Sequence, residues 1–219
     1  MKITKYLHSC LLLTLEDQRL LFDPGSFSFA HGEVSPADIP PIDYLVITHD
    51  HPDHLYFPAV RAFVDRDAPE LIANAETAER LRAEGLPVTV VAEGAARFGA
   101  FELEALPVDH QPILADHRPQ VTAFRVNGRL VNPADSFSDD LLRWKGCALL
   151  CCPVLAPFLT EVDAFAFMER MAPGAVLPVH EGYAKPYFVE ARHANYRTRL
   201  ERIGIGFHGV VAPGGSVEA

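Results

Sequence analysis

Six consecutive residues, His49-Asp50-His51-Pro52-Asp53-His54, hold three imidazoles and two carboxylates. Imidazole nitrogen and carboxylate oxygen are the donors that zinc takes at about 2.0–2.2 Å. His49 and His51 are two residues apart, and on an extended backbone their side chains share one side. Two rings can then meet one ion. Asp53 and His54 follow the turn at Pro52 and point elsewhere, which leaves room for a second ion nearby. Histidines can also cluster on a solvated loop without any ligand. Alternating positions directly after the apolar run Tyr44 to Thr48 are hard to obtain that way. The chemistry this pattern predicts is activation of water for hydrolysis by two divalent cations.

A two-ion site needs further ligands, and three other strand ends offer them. His110 lies just past a strand ending at Val108, Asp135 past a strand at Arg129 to Val131, and His180 directly after Ala175 to Val179. Singly, each could be a capping aspartate or a hydrogen-bonded surface histidine. Together they recur where sites in α/β proteins gather, at strand C-termini.

The elements that must position these residues alternate in both halves of the chain. Ile3 to Leu7, Cys10 to Leu15 and Arg19 to Phe22 read as strands, with a turn at Asp17-Gln18. Asp23-Pro24-Gly25 ends the third, and residues 24–41 form a long loop carrying Phe27 and Phe29. Pro58 marks a helix's first turn, and Glu76 to Glu84 is a second helix closed by Gly85. Leu71 to Ala73, Val88 to Val91 and Ala100 to Val108 are strands. Asn127-Gly128 is a hairpin signal between Val121 to Val126 and Arg129 to Val131. Ala148 to Cys152 is a buried strand, Glu161 to Met171 an amphipathic helix, Phe188 to Ile203 the last long helix, and Val210-Val211 closes the chain. This order fits two sheets with outer helices.

The 219 residues suit one domain, 1–219, and with 49% hydrophobic residues they can build a sizeable core. The net charge of −10 disfavours nucleic acid as a partner. Cys10, Cys147, Cys151 and Cys152 contain no C-x-x-C pair, and they read as buried thiols of a reducing compartment. No apolar run approaches the roughly 18 residues of a membrane span, and the N-terminus lacks a signal pattern. A cytoplasmic protein acting on a small molecule, without a membrane partner, is the expectation. A homo-oligomer is compatible with the sequence.

His49-x-His51-x-Asp53-His54 resembles the signature of the metallo-β-lactamase superfamily. Asp109-His110, Pro133-Ala134-Asp135-Ser136 and Leu177-Pro178-Val179-His180 resemble its later motifs. The opening, His8-Ser9-Cys10 and Leu21-Phe22-Asp23-Pro24-Gly25, is most similar to the branch of UlaG-like lactonases and related metal-dependent hydrolases. The resemblance implies an α/β (α+β) fold, a four-layer αβ/βα sandwich of two mixed β-sheets flanked by helices. It implies that His49, His51 and His110 hold one ion, that Asp53, His54 and His180 hold the second, and that Asp135 bridges them. The family usually has Gly before that aspartate. Here Ala134 stands there, at a cost if the position needs a positive φ.

The implied mechanism is attack by a metal-bridging hydroxide on an ester, lactone, amide or phosphodiester, with Asp53 as ligand and orienter of the nucleophile. Asp23 would hydrogen-bond a ligand histidine and fix its tautomer, or serve only as a turn residue. His117, on the loop after His110, would donate a proton to the leaving group or bind an anionic substrate, against the reading of a solvated loop histidine. His8 is placed under the site or in a structural role, and His31, His193 and His208 have no assigned partner. Phe27, Phe29, Phe158, Tyr183, Lys185 and Tyr187 are candidate pocket walls. Zinc is the first metal, and manganese or iron suit the same donors. The competing readings are an RNA or DNA phosphodiesterase, a metal-binding protein without catalysis, and an iron redox relative.

Overall fold

The computed structural model describes residues 1–219. Two seven-stranded mixed sheets face each other. The first is built from β1 (Lys2–Lys5), β2 (Leu11–Leu15), β3 (Gln18–Phe22), β4 (Tyr44–Ile47), β5 (Glu70–Ala73), β6 (Thr89–Val90) and the C-terminal strand β14 (Gly215–Glu218), in the order β14-β1-β2-β3-β4-β5-β6. The second holds β7 (Gly94–Phe98), β8 (Phe101–Val108), β9 (Val121–Val126), β10 (Leu130–Asn132), β11 (Leu149–Pro153), β12 (Ala175–Val179) and β13 (Gly206–Phe207), in the order β13-β12-β11-β10-β9-β8-β7. In each sheet one part is antiparallel and the other parallel, with β3 through β6 and β10 through β13 forming the parallel parts.

Strand periodicity explains the layers. Leu11, Leu13, Leu20 and Phe22 turn inward and pack against Leu103, Phe124, Val126, Leu149 and Leu177 of the other sheet. Leu12 and Leu21 turn outward beneath α2 (Phe57–Asp67) and α3 (Ala75–Ala83), where they meet Ala59, Val60, Phe63 and Leu81. Val131, Leu150, Cys152 and Val176 pack outward on α4 (Glu161–Met171) and α5 (Pro186–Glu201) through Phe167, Met168, Tyr196 and Leu200. The expected four-layer αβ/βα sandwich is therefore the fold. All four cysteines are buried and unpaired.

Several local expectations need correction. The first hairpin turns at Glu16-Asp17, because Leu15 pairs with Gln18 and Glu16 takes φ +55°. Arg129 belongs to the turn with Asn127 and Gly128, since Val126 pairs with Leu130. The segment 24–41 is not all loop: it contains a short helix, α1 (Ser26–Phe29), and a 3-10 turn at Pro36–Asp38 capped by Ser35. Val210-Val211 is not the closing element. The chain instead closes with β14, whose backbone pairs with β1. β7 and β13 carry no strand signal, because the first is built largely of exposed small residues and the second is two residues long. No helix is long and apolar enough to cross a membrane.

Candidate metal centre

The ends of β1, β3, β4, β8, β10 and β12 deliver His8, Asp23, His49, His110, Asp135 and His180 to one edge of the sandwich. Two groups of side chains form there. His49, His51, His110 and Asp135 make one, and His8, Asp53, His54 and His180 make the other; within each, the ligand-capable atoms lie within 4.8 Å of one another. Asp135 joins the two. Its Oδ2 lies 3.0 Å from His180 Nε2, 3.4 Å from His110 Nε2 and 3.7 Å from His49 Nε2, while its Oδ1 lies 3.3 Å from His54 Nε2. Asp50, between His49 and His51, turns away and pairs with Arg80 at 2.8 Å.

The backbone is shaped to make this convergence. Eight residues other than glycine have positive φ, and four of them are His8 (+58°), Asp23 (+45°), Ala134 (+50°) and His180 (+69°). Each costs on the order of 1 kcal/mol or more, and such costs concentrate at functional sites. Of the other four, Glu16 and Asn127 sit in hairpin turns, and Ala68 and Ala172 cap helices. Ala134 thus occupies the left-handed conformation in which the family usually has glycine.

Hydrogen bonds fix which ring atom each histidine presents. His110 Nδ1 donates to the Gln111 carbonyl at 2.6 Å, and His180 Nδ1 donates to the Leu155 carbonyl at 2.8 Å. His54 Nδ1 donates to Asp23 Oδ2 at 2.9 Å. Thr48 Oγ1 gives its hydrogen to Asp23 Oδ2 at 2.8 Å, so it accepts from His49 Nδ1 at 3.1 Å. In all four rings the Nδ1 hydrogen is committed outward, and Nε2 faces the centre. Outer partners of this kind orient metal-binding histidines. His54 Nε2, His110 Nε2 and Asp135 Oδ1 are buried with no hydrogen-bond partner. Orphaned buried polar atoms are rare and point to an ion.

The charges agree with that reading. Burial opposes an ionised Asp135, but His180 and His54 outweigh it and hold the carboxyl well below the usual range. Burial likewise opposes a charged His180, yet Asp135 and Asp53 lift it to about 9, and Asp135 and Asp23 lift His54 well above its ordinary value. Protons on these rings balance the carboxylates in the protein alone. A divalent ion takes the place of such protons when it binds. The donor set of nitrogen and carboxylate oxygen fits zinc, and equally manganese or iron.

His117 sits on the exposed loop 111–120, with its Nε2 2.7 Å from Glu76 Oε1 on α3, outside both groups. Two contacts of Asp53 escaped sequence reading. His8 Nε2 lies 3.1 Å from Asp53 Oδ2, and the half-exposed Tyr183 donates its hydroxyl to the same oxygen at 2.9 Å. The only signal for them was the opening His8-Ser9-Cys10 and the proximity of Tyr183 to His180. Phe158 stands over both groups, edge-on, 5.3 Å from the His110 ring and 5.5 Å from the His180 ring. Phe27 packs against Tyr183 at 4.7 Å.

The comparisons with known proteins agree with this geometry. The model of the Beta-lactamase superfamily domain matches residues 2–180, so the chain belongs to that family. Protein Rv0786c of Mycobacterium tuberculosis is 29% identical, over 85% of this chain and 86% of its own length. A UPF0173 metal-dependent hydrolase of Salinibacter ruber is 37% identical over 38% of this chain, a match that spans only 36% of that relative. The metallo-β-lactamase fold protein YhfI from Bacillus subtilis superposes with a TM-score of 0.71 at 19% identity, covering 100% of this chain and 98% of that one. At that identity the likeness is one of fold.

Proposed function

We propose that this chain is a metal-dependent hydrolase with a two-ion site, acting on a small-molecule ester, lactone, amide or phosphodiester. One observation carries the reading: four Nε2 atoms, each oriented by an outward Nδ1 hydrogen bond, converge on Asp135 from both sides. His49, His51 and His110 would hold one ion, Asp53, His54 and His180 the other, and Asp135 would bridge. Zinc is the metal we favour. Bound divalent ions supply acidified water and stabilisation of developing negative charge. The protein's own residues do the rest. Asp23 and Thr48 fix the rings of His54 and His49. Asp53, clamped by two donors, is the carboxylate placed to orient a nucleophile. Phe158 and the Phe27–Tyr183 pair form an aromatic wall, which favours a substrate with an apolar group beside the scissile bond. Arg118, whose Nη1 donates to the His110 carbonyl at 3.3 Å, brings a cation beside the first group. The opening motifs favour the UlaG-like lactonase branch, and with it an ester or lactone.

The test is metal analysis of the purified protein, paired with a hydrolysis panel of lactones, aryl and alkyl esters and bis-p-nitrophenyl phosphate. Two ions per chain and turnover of an ester or lactone are expected. His51→Ala and Asp53→Ala should each lose metal and activity. Full metal content in both variants would overturn the site. Two ions without turnover of any compound would favour a metal-binding protein that lacks catalysis.

A further inference from the structure

His8 belongs by position to the second group, yet its ring is wired in the opposite sense to the other four. The backbone N–H of Gly182 donates to His8 Nδ1 at 3.0 Å. A nitrogen that accepts a hydrogen bond carries no proton, so the ring hydrogen sits on Nε2. That atom lies 3.1 Å from Asp53 Oδ2. In His49, His54, His110 and His180 the Nδ1 atom donates and Nε2 is presented; in His8 the Nδ1 atom accepts and Nε2 donates.

We infer that His8 is not a metal ligand but a positioning residue, which donates from Nε2 to Asp53 and aims that carboxylate at the second ion. The inference rests on the two-ion reading above and deepens it.

The surroundings of His8 support a fixed role. The ring is buried beneath Phe27, 4.9 Å away, and packs 3.9 Å from the His180 ring. Its backbone holds φ +58°, and its carbonyl accepts from the His180 N–H at 3.2 Å. Gly182 cannot be enlarged without disturbing the arrangement, because a β-carbon there would lie 2.7 Å from the Phe27 ring and 3.0 Å from His8 Nδ1. One residue therefore ties the end of β1 to the turn 180–182 by its carbonyl and Nδ1, and to Asp53 by Nε2. Tyr183, one residue beyond Gly182, gives its hydroxyl to the same carboxylate oxygen. Residues 182 and 183 thus act on Asp53 together, the first through His8 and the second directly.

The decisive experiment has two arms. Long-range 1H–15N NMR of the metal-free wild-type protein reads the His8 tautomer without any variant. An Nε2–H tautomer is expected; an Nδ1–H tautomer would overturn the inference. In the second arm, metal-stripped wild type, His8→Gln and His8→Ala are titrated with zinc. All three should bind two ions per chain. His8→Ala should weaken the second ion about 10–100-fold, as loss of an outer-shell partner does, and His8→Gln, which keeps a donor for Asp53, should recover most of that loss. Loss of one ion from both variants would make His8 a ligand and overturn the inference. Should wild type bind no zinc, the two-ion reading fails, and with it the aim of Asp53 at an ion, while the NMR arm still decides the tautomer.

Discussion

A β-carbon on Gly25 would stand 1.6 Å from the carbonyl oxygen of Asp53 and 2.1 Å from its carbonyl carbon. The turn Asp23-Pro24-Gly25 therefore lies directly against the backbone of the metal motif. The Ser26 N–H donates to the Pro52 carbonyl at 2.8 Å, and the Tyr56 N–H donates to the Pro24 carbonyl at 3.1 Å. Neither backbone can retreat without breaking these bonds. Gly25→Ala should destabilise the fold by more than about 2 kcal/mol, because overpacking against backbone has no rotamer to relieve it. It should also weaken binding at the second ion by moving Asp53. Urea unfolding and zinc titration of the variant check both effects; a variant with parental stability and zinc affinity would show that the contact is not rigid.

Ala134 makes the opposite kind of prediction. Its φ of +50° is set by the chain's approach to Asp135, with the Ala134 N–H held by Asn132 Oδ1 at 3.1 Å. An alanine there bears strain that glycine does not, on the order of 1 kcal/mol. Ala134→Gly should gain about 0.5–1 kcal/mol in urea unfolding while keeping metal content. A clear loss of stability would mean that the buried methyl group is worth more than the strain.

Removal of metal should cost stability directly. Ligands that bind only the folded state stabilise it by about 2.7 kcal/mol at a hundredfold excess over Kd. With two sites filled to that degree the sum is about 5 kcal/mol, or roughly 10–20 °C in Tm for a chain of this size. Calorimetry with added zinc and then with a chelator reads the difference. An unchanged Tm would remove the cluster's orphaned atoms as an argument for ions.

The fold and the donor set were legible because both rest on strong local patterns. Short apolar runs set β2, β3 and β9, alternation set β8, and the spacing of His49, His51, Asp53 and His54 set the core of the candidate site. The candidate ligands at the ends of β8, β10 and β12 were readable because each follows an apolar run. What escaped depends on long-range approach. Gly25 looks like an ordinary turn glycine until Asp53 is seen above it. The role of His8 is decided by a backbone N–H 174 residues away. β14 is a polar strand, made only by its pairing with β1. Lys5 ends the buried strand β1, and nothing local shows that it meets the buried Glu181 at 2.5 Å and donates to the carbonyls of Pro178 and Val210.

His193 should make the stability of the fold depend on pH. The ring lies in the outer core on α5, edge-on to Phe207 at 5.5 Å, and neither ring nitrogen has a partner. Burial first, and then the positive charges of Lys5 and Arg197, lower it from 6.5 to about 4. The unfolded chain therefore takes up this proton at higher pH than the folded one. Stability from this residue is complete above about pH 6.5 and falls as the pH drops toward 4, by up to about 3 kcal/mol from a shift of this size. His193→Leu removes the group that must charge. With a chelator present throughout, the loss in unfolding free energy between pH 7 and pH 4 should be smaller in His193→Leu than in the parent by about 2–3 kcal/mol. Equal losses in the two proteins would mean that His193 is protonated as easily in the fold as outside it.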